Sequence, residues 1–306
     1  MVRKSPRAVK KRLAGLRLAR YNRPMENAVR KPIAAGTFYP AQRDLLLARV
    51  SGMIGEDCDR RCAQMTDHAG LIAPHAGLPF SGPTAAAGYR AIVSRGRPDA
   101  VVLLGANHTG LGASLSVDNH DAWQTPIGDV PIDRALVDEL ADGGFSIDPE
   151  AFLREHSIEV HLPFLQVLWG SALSFVPICV QPAPIATLAD AAGALALVLG
   201  NRPATLLVAS TDFTHYHPDE TARQLDGAAI DPILDLDSKR FVELYERERL
   251  SICGAGAIAL LIETARRLGL DSTNLVDYST SGDTSGDRTA VVGYAAITFF
   301  RRDHGS

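Results

Sequence analysis

His75, His108, Asp212, His215 and Cys253 stand in short segments rich in glycine, alanine, serine or threonine, where little bulk blocks a ligand. His75 lies in APHAGLPFSG, and Pro74, Ala76 and Gly77 leave room for the close approach a metal ligand needs. His108 lies in GANHTG, where Gly105 and Gly110 permit tight turns and Asn107 and Thr109 are placed to orient the ring. Asp212 and His215 lie in STDFTHYHP. A carboxylate and an imidazole three apart converge if the segment begins a helical turn, to ligate metal or to work as an acid/base pair. His217, just before Pro218, is expected at the surface. Cys253 lies in SICGAGAIALLIETARRLG, ahead of an Ala/Leu-rich helix. A thiol at a helix N-terminus has a lowered pKa, which suits a nucleophile or a thiolate ligand.

Two other segments carry polar groups worth placing. In REHSIEVHLPFLQVLW, a helix starting near His156 sets His156 and Glu159 on one face, with Glu155 and Ser157 at its start. His161 falls away from that face, and Leu162, Leu165 and Val167–Leu168 turn to the core. The order H-S-I-E is not the H-E-x-x-H helix of zinc proteases. YSTSGDTSGDRTAVVGY, residues 278–294, reads as a flexible polar loop that can line a pocket or hold phosphate through backbone amides. It lacks the G-K-[ST] of a P-loop.

Chemistry of this kind needs rigid elements to aim it. The runs 69–75, 99–108, 173–180, 204–210 and 289–300 are apolar and bounded by Pro, Gly or polar residues, as buried strands are. Helical periodicity covers 42–53, 84–95, 133–143, 156–169, 185–199, 219–229, 238–249 and 254–269. Alternating strands and helices predict an α/β fold, a mixed but largely parallel central sheet covered by helices on both faces. Residues 25–306 read as one domain. In open α/β sheets, ligands gather beyond the carboxyl ends of strands. His75, His108 and the pair Asp212 and His215 each follow such a strand directly, which packing alone does not require.

The composition narrows the class. With 46% hydrophobic and 22% charged residues, the chain matches an ordinary water-facing globular protein. No window of about 18 uncharged apolar residues suggests a membrane span. The net charge of −4 conceals an asymmetry. Residues 1–24 hold nine basic and no acidic side chains; the remainder holds 22 basic against 35 acidic, a net −13. The head has the Arg-rich, acid-free look of a transit peptide or an anion-binding tail, and is expected to be a disordered extension. Nucleic-acid binding by the acidic body is not expected. Four cysteines are too few for a disulfide scaffold, so a reducing cytoplasm is expected. Cys58 and Cys62 lack the second ligand pair of a zinc site and read as surface thiols.

The segments AAGTFYP, PHAGLPFSG, GANHTG, TPIGDVPID, EHSIEVHLPFLQ, ASTDFTHYH, CGAGAI and YSTSGD followed by VVGYAAI occur in this order. Together they resemble the Memo family, also called the B component of the AmmeMemoRadiSam system, from about Lys31 to Phe300. The resemblance implies a fold like that of class III extradiol dioxygenases, which hold non-haem Fe(II) with two His and one Glu. In the Memo pattern a Cys stands where that Glu would be. The implied ligands here are His75, His108 and Cys253, with Asp212 and His215 as acid/base groups and His156 and Glu159 as pocket support. The resemblance makes Fe(II) the first expectation; thiolate softens such a site and favours copper or zinc more, and these stand as alternatives. The expected function is a non-haem metal redox enzyme, dioxygenase-like, acting on a small molecule. One alternative is an interaction module that accepts a peptide, with an AMMECR-type protein and a radical SAM enzyme as the partners the system name implies. Another is a hydrolase using Cys253 as nucleophile and His215 as base.

Overall fold

The computed structural model describes residues 28–55, 63–170 and 173–302. The basic head, Cys58 and Cys62 lie outside the described residues. In chain order the elements are β1 (Val29–Arg30), α1 (Arg43–Ile54), β2 (Ala69–Ala73), α2 (Leu78–Val93), β3 (Ala100–Ala106), β4 (Leu115–Val117), β5 (Ala122–Thr125), β6 (Gly128–Pro131), α3 (Arg134–Asp142) and β7 (Ser146–Ile147). They continue with α4 (Leu162–Trp169), β8 (Ser174–Val180), α5 (Ile185–Leu199), β9 (Thr205–Ser210), β10 (His215–His217), α6 (Asp219–Leu234), α7 (Ser238–Glu248), α8 (Ala255–Arg267), β11 (Ser272–Thr280), α9 (Ser281–Ser285) and β12 (Val291–Phe300).

A nine-stranded sheet runs β10-β12-β2-β9-β3-β8-β4-β7, with β11 paired to β12, and a small sheet joins β1, β5 and β6. The central strands β2, β9, β3 and β8 are mutually parallel, and antiparallel neighbours flank them at both ends. Every residue of β2, β3 and β9 is buried, which explains why these strands read as continuous apolar runs. Helices cover both faces, as expected of α/β folds. α2 packs on β2, β11 and β12, and α8 packs on β9, β3 and β2. Among the described residues, no helix is long and apolar enough to cross a membrane.

The register does the positioning. Ala73 pairs with Ser210, Ser210 with Gly105, and Gly105 with Cys179. The four central strands therefore end level, and the chain beyond each enters the same rim.

Several elements depart from the sequence expectations. The helix expected from 156 begins at Leu162, after a 3₁₀ turn at Glu159–His161. The Glu155 carboxylate accepts from the amides of His156 and Ser157, which holds the segment in a turn. Residues 278–294 are not an open loop. Tyr278–Thr280 ends the long strand β11, and Thr280 with Asp283 forms a reciprocal cap on α9. α2 starts at Leu78 rather than 84, with Pro79 in its first turn, where a missing N–H costs little.

Candidate metal centre

Beyond β2, His75 is buried, with its backbone N–H donating to Asp212 Oδ1 at 2.8 Å and its Nδ1 2.7 Å from Ser210 Oγ. Beyond β3, His108 is held differently. Its backbone N–H donates to Glu155 Oε2 at 2.6 Å, and its Nδ1 lies 2.9 Å from Glu155 Oε1. In both rings the Nδ1 side is engaged, so Nε2 is left for a ligand. His156 joins them from the turn after β7. It stacks on His108 with centroids 4.7 Å apart, and His75 meets His108 edge-on at 5.2 Å. One ring nitrogen from each of His75, His108 and His156 lies within 4.8 Å of the others. That spacing suits donors closing on one ion at about 2.0–2.1 Å per bond.

Cys253 Sγ lies 3.4 Å from His75 Nε2, beside this trio rather than within it. It accepts from the Asp212 amide at 3.2 Å. Gly254 can follow only because it has no side chain: a Cβ there would come 2.5 Å from Thr211 Cβ and 2.6 Å from the Ser210 carbonyl. Asp212 is buried, and its Oδ1 accepts from the amides of His75 and Ala76. His215 donates its backbone N–H to Ser251 Oγ and its Nδ1–H to the Ser251 carbonyl at 2.7 Å, which leaves Nε2 with a lone pair.

The electrostatics follow from this packing. Burial, then the neighbouring imidazoles, drives His75 well below the usual histidine range. Burial also lowers His156. Burial opposes charge on His108 too, but the hydrogen bond and charge of Glu155 prevail and raise it. Burial would raise Glu155, yet the His108 contact and the amides of Ser157 and His108 hold it down at about 2. Burial lifts Asp212 to about 6, against the pull of its amide donors and His215. The expected low thiol pKa at Cys253 is not found. Burial, then the Asp212 carboxylate, raises it, and these outweigh the hydrogen bonds of the Asp212 amide, the Thr211 hydroxyl and its own backbone. This counts against the hydrolase, which needs a ready thiolate.

The structure thus brings His75, His108, Asp212 and Cys253 to one rim, with His215 on the segment that follows Asp212. Asn107 and Thr109 do not orient His108. Asn107 Oδ1 instead accepts from the Thr109 and Gly110 amides and closes the turn. Glu159 faces away from the trio. It binds Arg30 at 2.7 Å, Tyr39 at 2.6 Å and the amides of Ile33 and Ala34, pinning the first described segment to the body. Sequence reasoning missed Glu155 as the partner of His108, and Ser210 and His161 as the partners behind His75. The adjacency of Glu155 to His156 was the one visible signal.

The fold and the imidazole cluster define an α/β protein with a candidate metal site at the carboxyl ends of its central strands. The sequence profile of Memo-like proteins matches residues 30–298, and the chain belongs to the Memo family. A MEMO1 family protein of Methanopyrus kandleri is 40% identical over 284 residues, covering 89% of this chain and 99% of the relative. The MEMO1 family protein of Thermotoga maritima is 36% identical over 283 residues, with 89% and 99% covered. Among solved structures, an uncharacterized protein of Escherichia coli K12 superposes with a TM-score of 0.51 at 14% identity, covering 75% of this chain and 98% of that one. That likeness speaks for the fold alone.

Proposed function

We propose that this rim is a mononuclear metal centre of a redox enzyme acting on a small molecule. His75 and His108 would bind through Nε2, with Cys253 as the thiolate ligand and His156 as a further imidazole within reach. The observation that carries this reading is the meeting of three ring nitrogens within 4.8 Å beside a thiol, on strands that end level. The donor set fits: nitrogen and sulfur suit Fe(II), copper or zinc, with iron the first choice for the Memo pattern. Iron or copper so held would supply one-electron chemistry and open positions for substrate.

The chain's own groups have separate tasks. Glu155 holds the His108 proton on Nδ1 and places one negative charge behind that ring. Asp212, poised at about 6, can hold or release a proton near neutral pH through the oxygen its amide donors leave free. His215, fixed by Ser251, offers Nε2 as the second base. Asp212 and His215 are therefore proposed as the acid/base pair.

The test is metal content per chain after anaerobic purification, for the wild type and for His75→Ala, His108→Ala, Cys253→Ser and His156→Ala. Near-stoichiometric metal, lost in the first three variants, supports the reading. Retention in Cys253→Ser with loss in His156→Ala would replace the thiolate by a third imidazole. No metal after reconstitution with Fe(II), copper and zinc would end the reading and favour the interaction module.

A further inference from the structure

Behind His75 the polar groups form one connected set, fully buried: Ser210, His161, Tyr89 and the Ser157 carbonyl. Ser210 Oγ lies 2.7 Å from the Ser157 carbonyl, 2.7 Å from His75 Nδ1 and 2.8 Å from His161 Nε2. His161 Nδ1 lies 2.9 Å from Tyr89 OH. A serine hydroxyl has one proton and two acceptor sites, and a carbonyl only accepts. The Ser210 proton therefore goes to Ser157, and both imidazoles must donate to Ser210. His161, neutral because burial lowers it to about 3, then carries its proton on Nε2 and accepts from Tyr89 on Nδ1. Every polar proton in the set then has one acceptor.

We propose that Ser210 is a positioning residue that fixes the tautomer of His75, with His161 and Tyr89 locking Ser210 in turn. Only the Nδ1–H form of His75 satisfies the set, and it turns the Nε2 lone pair toward the rim. The set is a lock rather than a proton relay. Two N–H groups converge on one oxygen, so no proton can pass along it unless Ser210 abandons the Ser157 carbonyl. The proposal rests on the metal-centre reading for its purpose but not for its geometry. The backbone contributes as well, since Ser210 pairs with both Ala73 and Gly105 and so sits directly beneath the two strand ends.

The experiment is long-range proton–nitrogen NMR on the full chain with ¹⁵N-labelled histidine, metal-free, at pH 7.5. The expected result is a neutral His75 protonated at Nδ1 and a neutral His161 protonated at Nε2. A proton on the opposite nitrogen of either ring would overturn the lock, and this reading needs no variant. In Ser210→Ala, His75 should lose its single tautomer. Zn(II) affinity, measured by competition with a chromophoric chelator, should fall by roughly 10–100-fold. A folded Ser210→Ala that keeps His75 wholly in the Nδ1–H form would also overturn it. Correct tautomers in a protein that binds no metal would uphold the lock and remove the metal centre. Metal bound through His75 with the opposite tautomer would do the reverse.

Discussion

His75 and His108 face each other with ring centroids 5.2 Å apart, each beyond a strand that flanks β9, yet they are held by opposite means. A neutral hydroxyl, buried among other neutral groups, holds the His75 ring, and the Asp212 carboxylate takes only its backbone amide. A buried carboxylate that also gathers three backbone amides holds His108. One ring is pushed toward the neutral form and the other toward the charged form. At the His108 ring the partner brings a negative charge that a bound cation would offset; at the His75 ring the partner brings geometry without charge. Two donors that look alike in sequence are therefore prepared differently, and the two supports meet at Ser157, whose amide donates to Glu155 and whose carbonyl accepts from Ser210.

The largest effect is expected on the carboxylate side. Glu155→Gln keeps the shape but puts an amide N–H₂ among four donors: His108 Nδ1 and the amides of His108, His156 and Ser157. Leaving buried donors unmatched and removing the charge should cost about 3 kcal/mol, read as a shifted denaturant midpoint. His108 should titrate lower, and the tautomer of His75 should not change. The same group sets an acid limb. Its folded pKa of about 2 lies below its ordinary 4.5, so its stabilisation is complete above about 4.5 and is lost as pH falls through about 2. Wild-type stability should decline over that window, and the decline should shrink in Glu155→Gln. An unchanged limb would mean that other carboxylates dominate it.

Next come two glycines, one on each side. A Cβ at Gly105 would come 2.4 Å from Ile158 Cγ1 and 2.6 Å from Ser157 Oγ, whereas one at Gly254 would strike Thr211 and the Ser210 carbonyl. Either alanine should cost about 2 kcal/mol by overpacking. Their signatures should differ. Gly105→Ala displaces Ser157, whose amide serves Glu155 and whose carbonyl serves Ser210, so the titration of His108 should move together with the tautomer of His75. Gly254→Ala displaces Ser210 and Thr211, so the tautomer of His75 should change. Identical histidine spectra in the two variants would break the comparison, since the two supports would then move as one.

The contrast between the supports also explains what the sequence could disclose. His75, His108 and Asp212 were legible because each follows an apolar run, and parallel strands end at a common rim. Cys253 was legible by its place before an Ala/Leu-rich helix. Ser210 was not, because its role depends on being opposite both Ala73 and Gly105, a register no local pattern encodes. His161 was hidden because the expected helix put it off the His156 face. Glu155 delays the start of that helix by capturing the amides of His156 and Ser157, and a turn replaces the periodicity. The short strands β4 to β7 span two to four residues each, too few for a period to emerge. The burial that raises the Cys253 thiol was likewise a product of packing, while the helix end that would lower it was visible in sequence.

The smallest effect belongs to the far end of the hydroxyl side. Tyr89→Phe removes one O–H and leaves a ring that still stacks on Phe164, where the centroids are 5.3 Å apart. His161 Nδ1 loses its donor, which should cost about 1 kcal/mol. Freed there, His161 can move its proton to Nδ1 and accept from Ser210, which then releases the Ser157 carbonyl. The His161 resonances should therefore show exchange between tautomers, with a weaker echo at His75 and none at His108. The gradient is the informative quantity. Exchange confined to His161 would shorten the lock to Ser210 alone. Exchange reaching His108 would mean that Ser157, which touches both supports, passes the disturbance on, and the two rings would not be held independently.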